Sequence, residues 1–138
     1  MDCIDRNYED VEIGDVFSFE RTITREDVMA FAKLTGDKNP LHTDAEYAKE
    51  KGFVDQVVHG MLSASLFSTL VGMLCPGKRS LYLSQDTKFK MPIIVEDKVV
   101  VQGEITRKIN AFSMLEIKTS IQKEDIVCVE GLTRVKFI

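Results

Sequence analysis

At 138 residues, with 18 basic and 22 acidic side chains and a formal net charge of −4, the chain has room for one ordinary domain and carries no dense basic block. Its apolar share of 44% and charged share of 29% belong to a globular protein rather than a disordered one, and the charge balance offers nucleic acid no electrostatic footprint. We therefore expect a single domain over residues 1–138 and no nucleic-acid partner. Cys3, Cys75 and Cys128 are odd in number and far apart, which suits reduced thiols better than a disulfide framework or a zinc site. The acidic opening stretch Met1 to Asp10 lacks the apolar core of a leader, so the cytoplasm is the expected compartment.

Val16, Phe17, Phe19 and Ile23 alternate loosely after a turn at Gly14 and Asp15, which predicts a first strand. Thr24 then stands as an N-cap with Asp27 three residues on, and Val28, Phe31, Ala32 and Thr35 follow helical spacing up to Gly36, a natural stop. Asp37 thus lies just beyond a helix end. Pro40 disfavours helix at Asn39 and removes a backbone donor, so 36–42 is expected to be a turn followed by a short extended segment. Thr43 and Glu46 read as the capping box of a helix running to about Lys51, with His42 just before the cap. Such a bend can aim Asp37 and His42 at one small volume. Turn composition alone favours a plainer reading, in which Asp37 satisfies backbone in an Asx-turn and His42 packs.

Between Gln56 and Gly77 the only titratable side chains are those of His59 and Cys75, and Met61, Leu62, Ala64, Leu66, Phe67, Leu70, Val71, Met73 and Leu74 leave little polar face. This pattern predicts a helix buried nearly all round. A membrane span is the competing reading, and Gln56, Ser63, Ser65, Ser68, Thr69 and the helix-stopping Pro76-Gly77 weigh against it. From Arg79 onward the period changes to two. Leu81 and Leu83 alternate with Tyr82 and Ser84; Val99, Val101, Gly103 and Ile105 share a face, as do Leu115, Ile117, Thr119 and Ile121; Val127, Val129, Thr133, Val135 and Phe137 make a last strand. Turn-like breaks between these runs predict antiparallel strands linked mostly by hairpins. The fold class is α+β, an antiparallel sheet covering one long central helix.

The run from Phe31 to His42 shows an aromatic residue, a small residue, Gly36-Asp37, any residue, Asn39-Pro40, an aliphatic residue and His42, and His59-Gly60-Met61 follows. It resembles the signature of the MaoC-like, (R)-specific enoyl-CoA hydratase family, also called hydratase 2, and the similarity extends through Ser80 to Pro92. The resemblance implies the hot-dog fold, with the sheet wrapped around the helix and two subunits joined edge to edge as a homodimer. It also implies an enzyme of fatty acid metabolism that needs no cofactor and no metal. Water would add across the C2=C3 bond of a trans-2-enoyl thioester, carried on CoA or on acyl-carrier protein, to give the (R)-3-hydroxyacyl thioester, or leave it in reverse.

In that chemistry Asp37 and His42 supply the two proton-transfer groups, and ordinary pKa values near ~4 and ~6.5 leave both mostly basic at neutral pH. Gly60, opening the buried helix, is the candidate oxyanion donor. Asn39, Met61 and Ser68 are candidate substrate contacts, Ser68 because related hydratases keep a serine facing the site there. His59 reads as a hydrogen-bonded histidine at a helix start, and the run Lys88 to Lys90 reads as a solvated face or as a contact for CoA phosphates. The competing readings are a hot-dog thioesterase, a non-catalytic module that binds acyl thioesters, and a metal hydrolase using Asp37, His42 and His59.

Overall fold

In the computed structural model, which describes residues 2–138, the alternating runs form the predicted sheet. Val99, Val101 and Ile105 on β3 (Lys98–Ile109) and Leu115, Ile117 and Ile121 on β4 (Met114–Lys123) are fully buried on its inner face. Among the described residues the sheet has five strands, completed by β1 (Val16–Thr22), β2 (Ser80–Phe89) and β5 (Ile126–Phe137), in the order β1-β3-β4-β5-β2. Every pairing is antiparallel. β3, β4 and β5 follow one another as hairpins, as expected. β2 does not join its successor: it pairs with β5 at the far edge, so residues 90–97 cross from one side of the sheet to the other. That crossing segment later braces the candidate site.

On β2 the alternation runs opposite to the apolar pattern. Leu81 and Leu83 are exposed, while the Tyr82 hydroxyl and the Gln85 amide meet Thr133 and Thr119 across the inner face. A bulge between Tyr82 and Ser84 shifts the register there. Cys75 and Cys128 are buried free thiols, and burial pushes Cys75 up to about 11, where it behaves as a small apolar side chain.

The first helix, α1 (Arg25–Thr35), begins and ends where local chemistry requires. Thr24 Oγ1 accepts from the Asp27 amide at 3.1 Å, and Asp27 Oδ2 accepts from the Thr24 amide at 3.0 Å. Gly36 closes the helix at φ 83°, a conformation that costs glycine nothing, and its N–H donates to Ala32 O at 3.0 Å. Partial burial pushes the Asp27 carboxyl upward, but hydrogen bonds from Thr24 and the Arg21 guanidinium outweigh it and hold the group below the ordinary aspartate value. A depressed carboxyl contributes stability above its unfolded value near ~3.9 and loses that contribution as pH falls through the folded value. Asp27→Asn should therefore flatten the loss of thermal stability below about pH 4. An acid limb identical to that of the parent protein would contradict this reading of the cap.

Two local expectations need correction. Asn39 is non-helical, at ψ 130°, but Pro40 opens a helical turn of its own, α2 (Pro40–Thr43), so His42 sits in helix and not in an extended segment. Proline suits the first helical position, because the N–H it lacks has no partner there. Thr43, the last residue of that turn, bonds back to Asn39 O at 3.2 Å, and the cap of α3 (Ala45–Glu50) is Asp44, which accepts from Glu46 and Tyr47 amides at 2.9 and 3.2 Å.

The central helix, α4 (Gly60–Thr69), runs on into a π-helical turn over Leu70–Leu74. Phe67, Leu70 and Val71 are fully buried against the sheet. The expectation of burial all round fails on one stripe: Met61, Ser65 and Ser68, at helical spacing, are exposed. No helix of the described residues is long and apolar enough to cross a membrane.

Candidate active site

The loop between α3 and α4 is held from both sides. Val57 pairs with Ile94 in an isolated antiparallel bridge; the Val58 amide donates to Ile93 O at 2.8 Å and the Val95 amide to Gln56 O at 3.0 Å. On its other side the Val57 amide donates to Leu41 O at 3.1 Å. The loop thus fixes α2 against the crossing segment, and with it His42.

His42 Nδ1 lies 2.7 Å from Val57 O. A carbonyl oxygen only accepts, so the proton of the neutral ring sits on Nδ1 and the lone pair on Nε2. The half-buried ring stacks on His59, with centroids 3.9 Å apart and planes at 27°. Asp37 follows the glycine stop of α1, and its Oδ1 accepts from the Asn39 amide at 3.2 Å, so the Asx-turn read from composition is present. That turn occupies one carboxylate oxygen. The other, Oδ2, lies 3.9 Å from His59 Nε2, and the side chain is 53% exposed.

A carboxylate oxygen of Asp37 and ring nitrogens of His42 and His59 lie within 4.8 Å of one another. Two hydrogen bonds of about 2.8 Å meeting near the tetrahedral angle separate their outer partners by roughly 4.6 Å, so groups this close leave room for one bridging water. A metal ion suits it less well. His59 Nε2 lies 3.0 Å from Asp37 O, an acceptor, and so carries a proton; ligation through it would move that proton to Nδ1, which is buried without a partner. Rings stacked face to face also do not converge their lone pairs on one point.

Gly60 opens α4 beside this group. With His42, Val57, Val58, Ser63 and Phe89 it walls a cavity of about 250 Å³. As the first helical residue its N–H has no intrahelical acceptor, and the helix dipole favours negative charge there. A carbon added to its α-carbon would lie 3.1 Å from the Phe89 ring, so only glycine leaves this approach open. Asp37 does not itself line the cavity, whereas His42 belongs both to its wall and to the cluster with Asp37.

The MaoC like domain model matches residues 10–126. The chain belongs to the MaoC-like domain family. This MaoC-like chain is 43% identical over 98 residues to the (R)-specific enoyl-CoA hydratase of Aeromonas caviae, covering 71% of the chain and 73% of that protein. It is 40% identical over 117 residues to the mitochondrial 3-hydroxyacyl-acyl-carrier-protein dehydratase FERN of Solanum lycopersicum, covering 83% and 70%. The solved structure of the A. caviae (R)-hydratase superposes with a TM-score of 0.89 at 37% identity, over 93% of this chain and 98% of that one. The fold is therefore the hot-dog fold of the (R)-hydratases.

The candidate substrate contacts Asn39, Met61 and Ser68 lie apart from the cavity. Asn39 caps α2, its Oδ1 accepting from the Leu41 amide at 2.9 Å, so its side chain shapes the turn. Met61 and Ser68 do not line the cavity and belong to the exposed stripe of α4. Lys90 borders the cavity and pairs with Glu130 at 3.2 Å.

Sequence reasoning missed the part played by Gln56, which entered only as a polar residue beside an apolar run. Only 2% exposed, it donates from Nε2 to His42 O at 2.9 Å and accepts from the Arg25 guanidinium, which also pairs with Asp55 at 2.9 Å. Its partners are 14 and 31 residues away, and no local signal announces them. Gln56→Leu strands the His42 carbonyl and part of Arg25, and should cost about 1–3 kcal/mol of stability. Thermal unfolding measures it; an unchanged midpoint would contradict the assignment.

Proposed function

We propose that this chain adds water to trans-2-enoyl thioesters to give (R)-3-hydroxyacyl thioesters, and removes it in reverse, with acyl-CoA or acyl-carrier-protein thioesters as substrates. The observation that carries the reading is a carboxylate and an imidazole spaced for one water, beside the first amide of a buried helix. The relatives named as hydratase and dehydratase perform the two directions of this reaction.

In the proposed mechanism the water donates one O–H to His42 Nε2 and the other to the Asp37 carboxylate. As its oxygen attacks C3, His42 takes the first proton and C2 gains carbanion character shared with the thioester carbonyl. The Gly60 N–H receives the enolate oxygen, a kind of contact worth roughly 3 to 4 kcal/mol when it strengthens in the transition state. The proton on His42 then passes to C2. Water has been added across the double bond, and His42 returns to its starting form.

We read residues 1–138 as one catalytic unit that works as a homodimer. The open stripe of α4 and the groove of about 460 Å³ between it and β1 favour a second copy as their cover. In a dimer, Met61 and Ser68 would become available as substrate contacts. The buried thiols Cys75 and Cys128 favour a reducing compartment, and the cytoplasm is our reading. Purified protein mixed with crotonyl-CoA should consume the enoyl absorbance without releasing free thiol. Thiol release would point to a thioesterase instead, and tight binding without turnover to a binding module.

A further inference from the structure

His59 takes no proton in the mechanism above and does not line the cavity, yet its contacts exceed those of a packing residue. A side chain that only filled space here could be phenylalanine, and one that only donated a hydrogen bond could be glutamine. His59 does both: Nε2–H donates to Asp37 O at 3.0 Å, and the ring stacks at 3.9 Å on His42, with Phe31 at 5.0 Å. The histidine also carries a penalty that phenylalanine would avoid. Its Nδ1 is buried with no hydrogen-bond partner, an arrangement that destabilises a folded chain.

The main-chain carbonyls around the two rings dictate opposite tautomers. Val57 O takes the Nδ1 proton of His42, and Asp37 O takes the Nε2 proton of His59. We infer that His59 is a positioning residue. One bond to the main chain of Asp37 and one ring contact with His42 set the separation of the two water-holding groups, and the stacked rings are locked in opposite tautomers. The inference rests on the proposed hydratase function for its kinetic consequence and on the geometry alone for its spectroscopic one.

The chain has two histidines, so side-chain ¹⁵N spectra of the wild type resolve both rings, with His59→Gln assigning them. The expected pattern is one ring protonated on Nδ1 and the other on Nε2. His59→Phe keeps the ring face and removes the orphaned nitrogen, so its unfolding midpoint should stay at or near that of the wild type. Its kcat on crotonyl-CoA should nevertheless fall about 100-fold, since a misplacement near 1 Å costs that much, with KM changed less than about threefold. His59→Gln keeps a donor for Asp37 O and should recover part of the loss.

A folded His59→Phe variant with kcat within about threefold of the wild type, or a rise in KM alone, would overturn the inference. So would the same tautomer on both rings. Should His59→Phe fail to fold, His59→Gln and the wild-type spectrum decide. A wild type that does not hydrate enoyl thioesters would sink the proposed function, and the tautomer pattern would still judge the positioning.

Discussion

Asp37→Asn should lower kcat for enoyl-CoA hydration by roughly 10²- to 10⁴-fold while leaving the fold intact. The substitution is conservative for structure, because the turn uses Oδ1 as an acceptor for the Asn39 amide and an asparagine oxygen serves it equally. What is lost is the charge and the second acceptor, the two properties that hold a water for attack. His42→Ala should cost a similar factor, since it removes the lone pair that Val57 O leaves on Nε2. In the proposed mechanism the two groups share one water, so the losses should not multiply. The double variant is expected within about tenfold of the worse single variant, as for residues that act as a unit. Losses that multiply would mean the two side chains act separately, and full activity of either single variant would remove it from the chemistry. Steady-state kinetics beside circular dichroism measures all of this.

Gly60→Ala should lower kcat by about 10²-fold while the chain stays folded. Gly60 is not among the glycines at positive φ, so alanine fits its backbone without strain. The added methyl instead meets the Phe89 ring at 3.1 Å, and that ring borders the same cavity. Either the ring swings into the space meant for the thioester, or the methyl itself holds the carbonyl away from the amide. A variant that remains folded at the assay temperature yet turns over slowly would separate the oxyanion contact from packing. Unchanged turnover would show that the enolate oxygen lies elsewhere.

Features written in neighbouring residues were legible from the sequence. Thr24 with Asp27, Gly36, and the alternation at Val99, Val101 and Ile105 each act through contacts a few residues apart or through one period, and the structure bears them out. The motif points to Asp37, His42 and Gly60; in the structure His42 lies beside Asp37 and also walls the cavity with Gly60, which Asp37 does not line. The errors have physical causes. Pro40 signals a break before it and equally a helix start at it, so His42 was assigned to the wrong local structure. Thr43 and Asp44 are both good caps, and the choice fell to Asp44 once Thr43 had bonded back to Asn39. The composition of α4 hid its open stripe, because Met61 and the serines are compatible with either burial or exposure. Strand order and the brace through Gln56 depend on pairing between distant segments, which periodicity does not encode.

In the proposed mechanism the water held by Asp37 and His42 lies on one side of the enoyl plane, and the proton His42 returns to C2 comes from that same side. Hydration of crotonyl-CoA in D₂O, followed by NMR of the product, tests this most directly. The expected product is a single (R)-3-hydroxy diastereomer with deuterium at C2 and oxygen at C3 added to the same face of the former double bond. Addition to opposite faces, or a mixture at C2, would require a second proton donor across the substrate and would contradict the shared-water site.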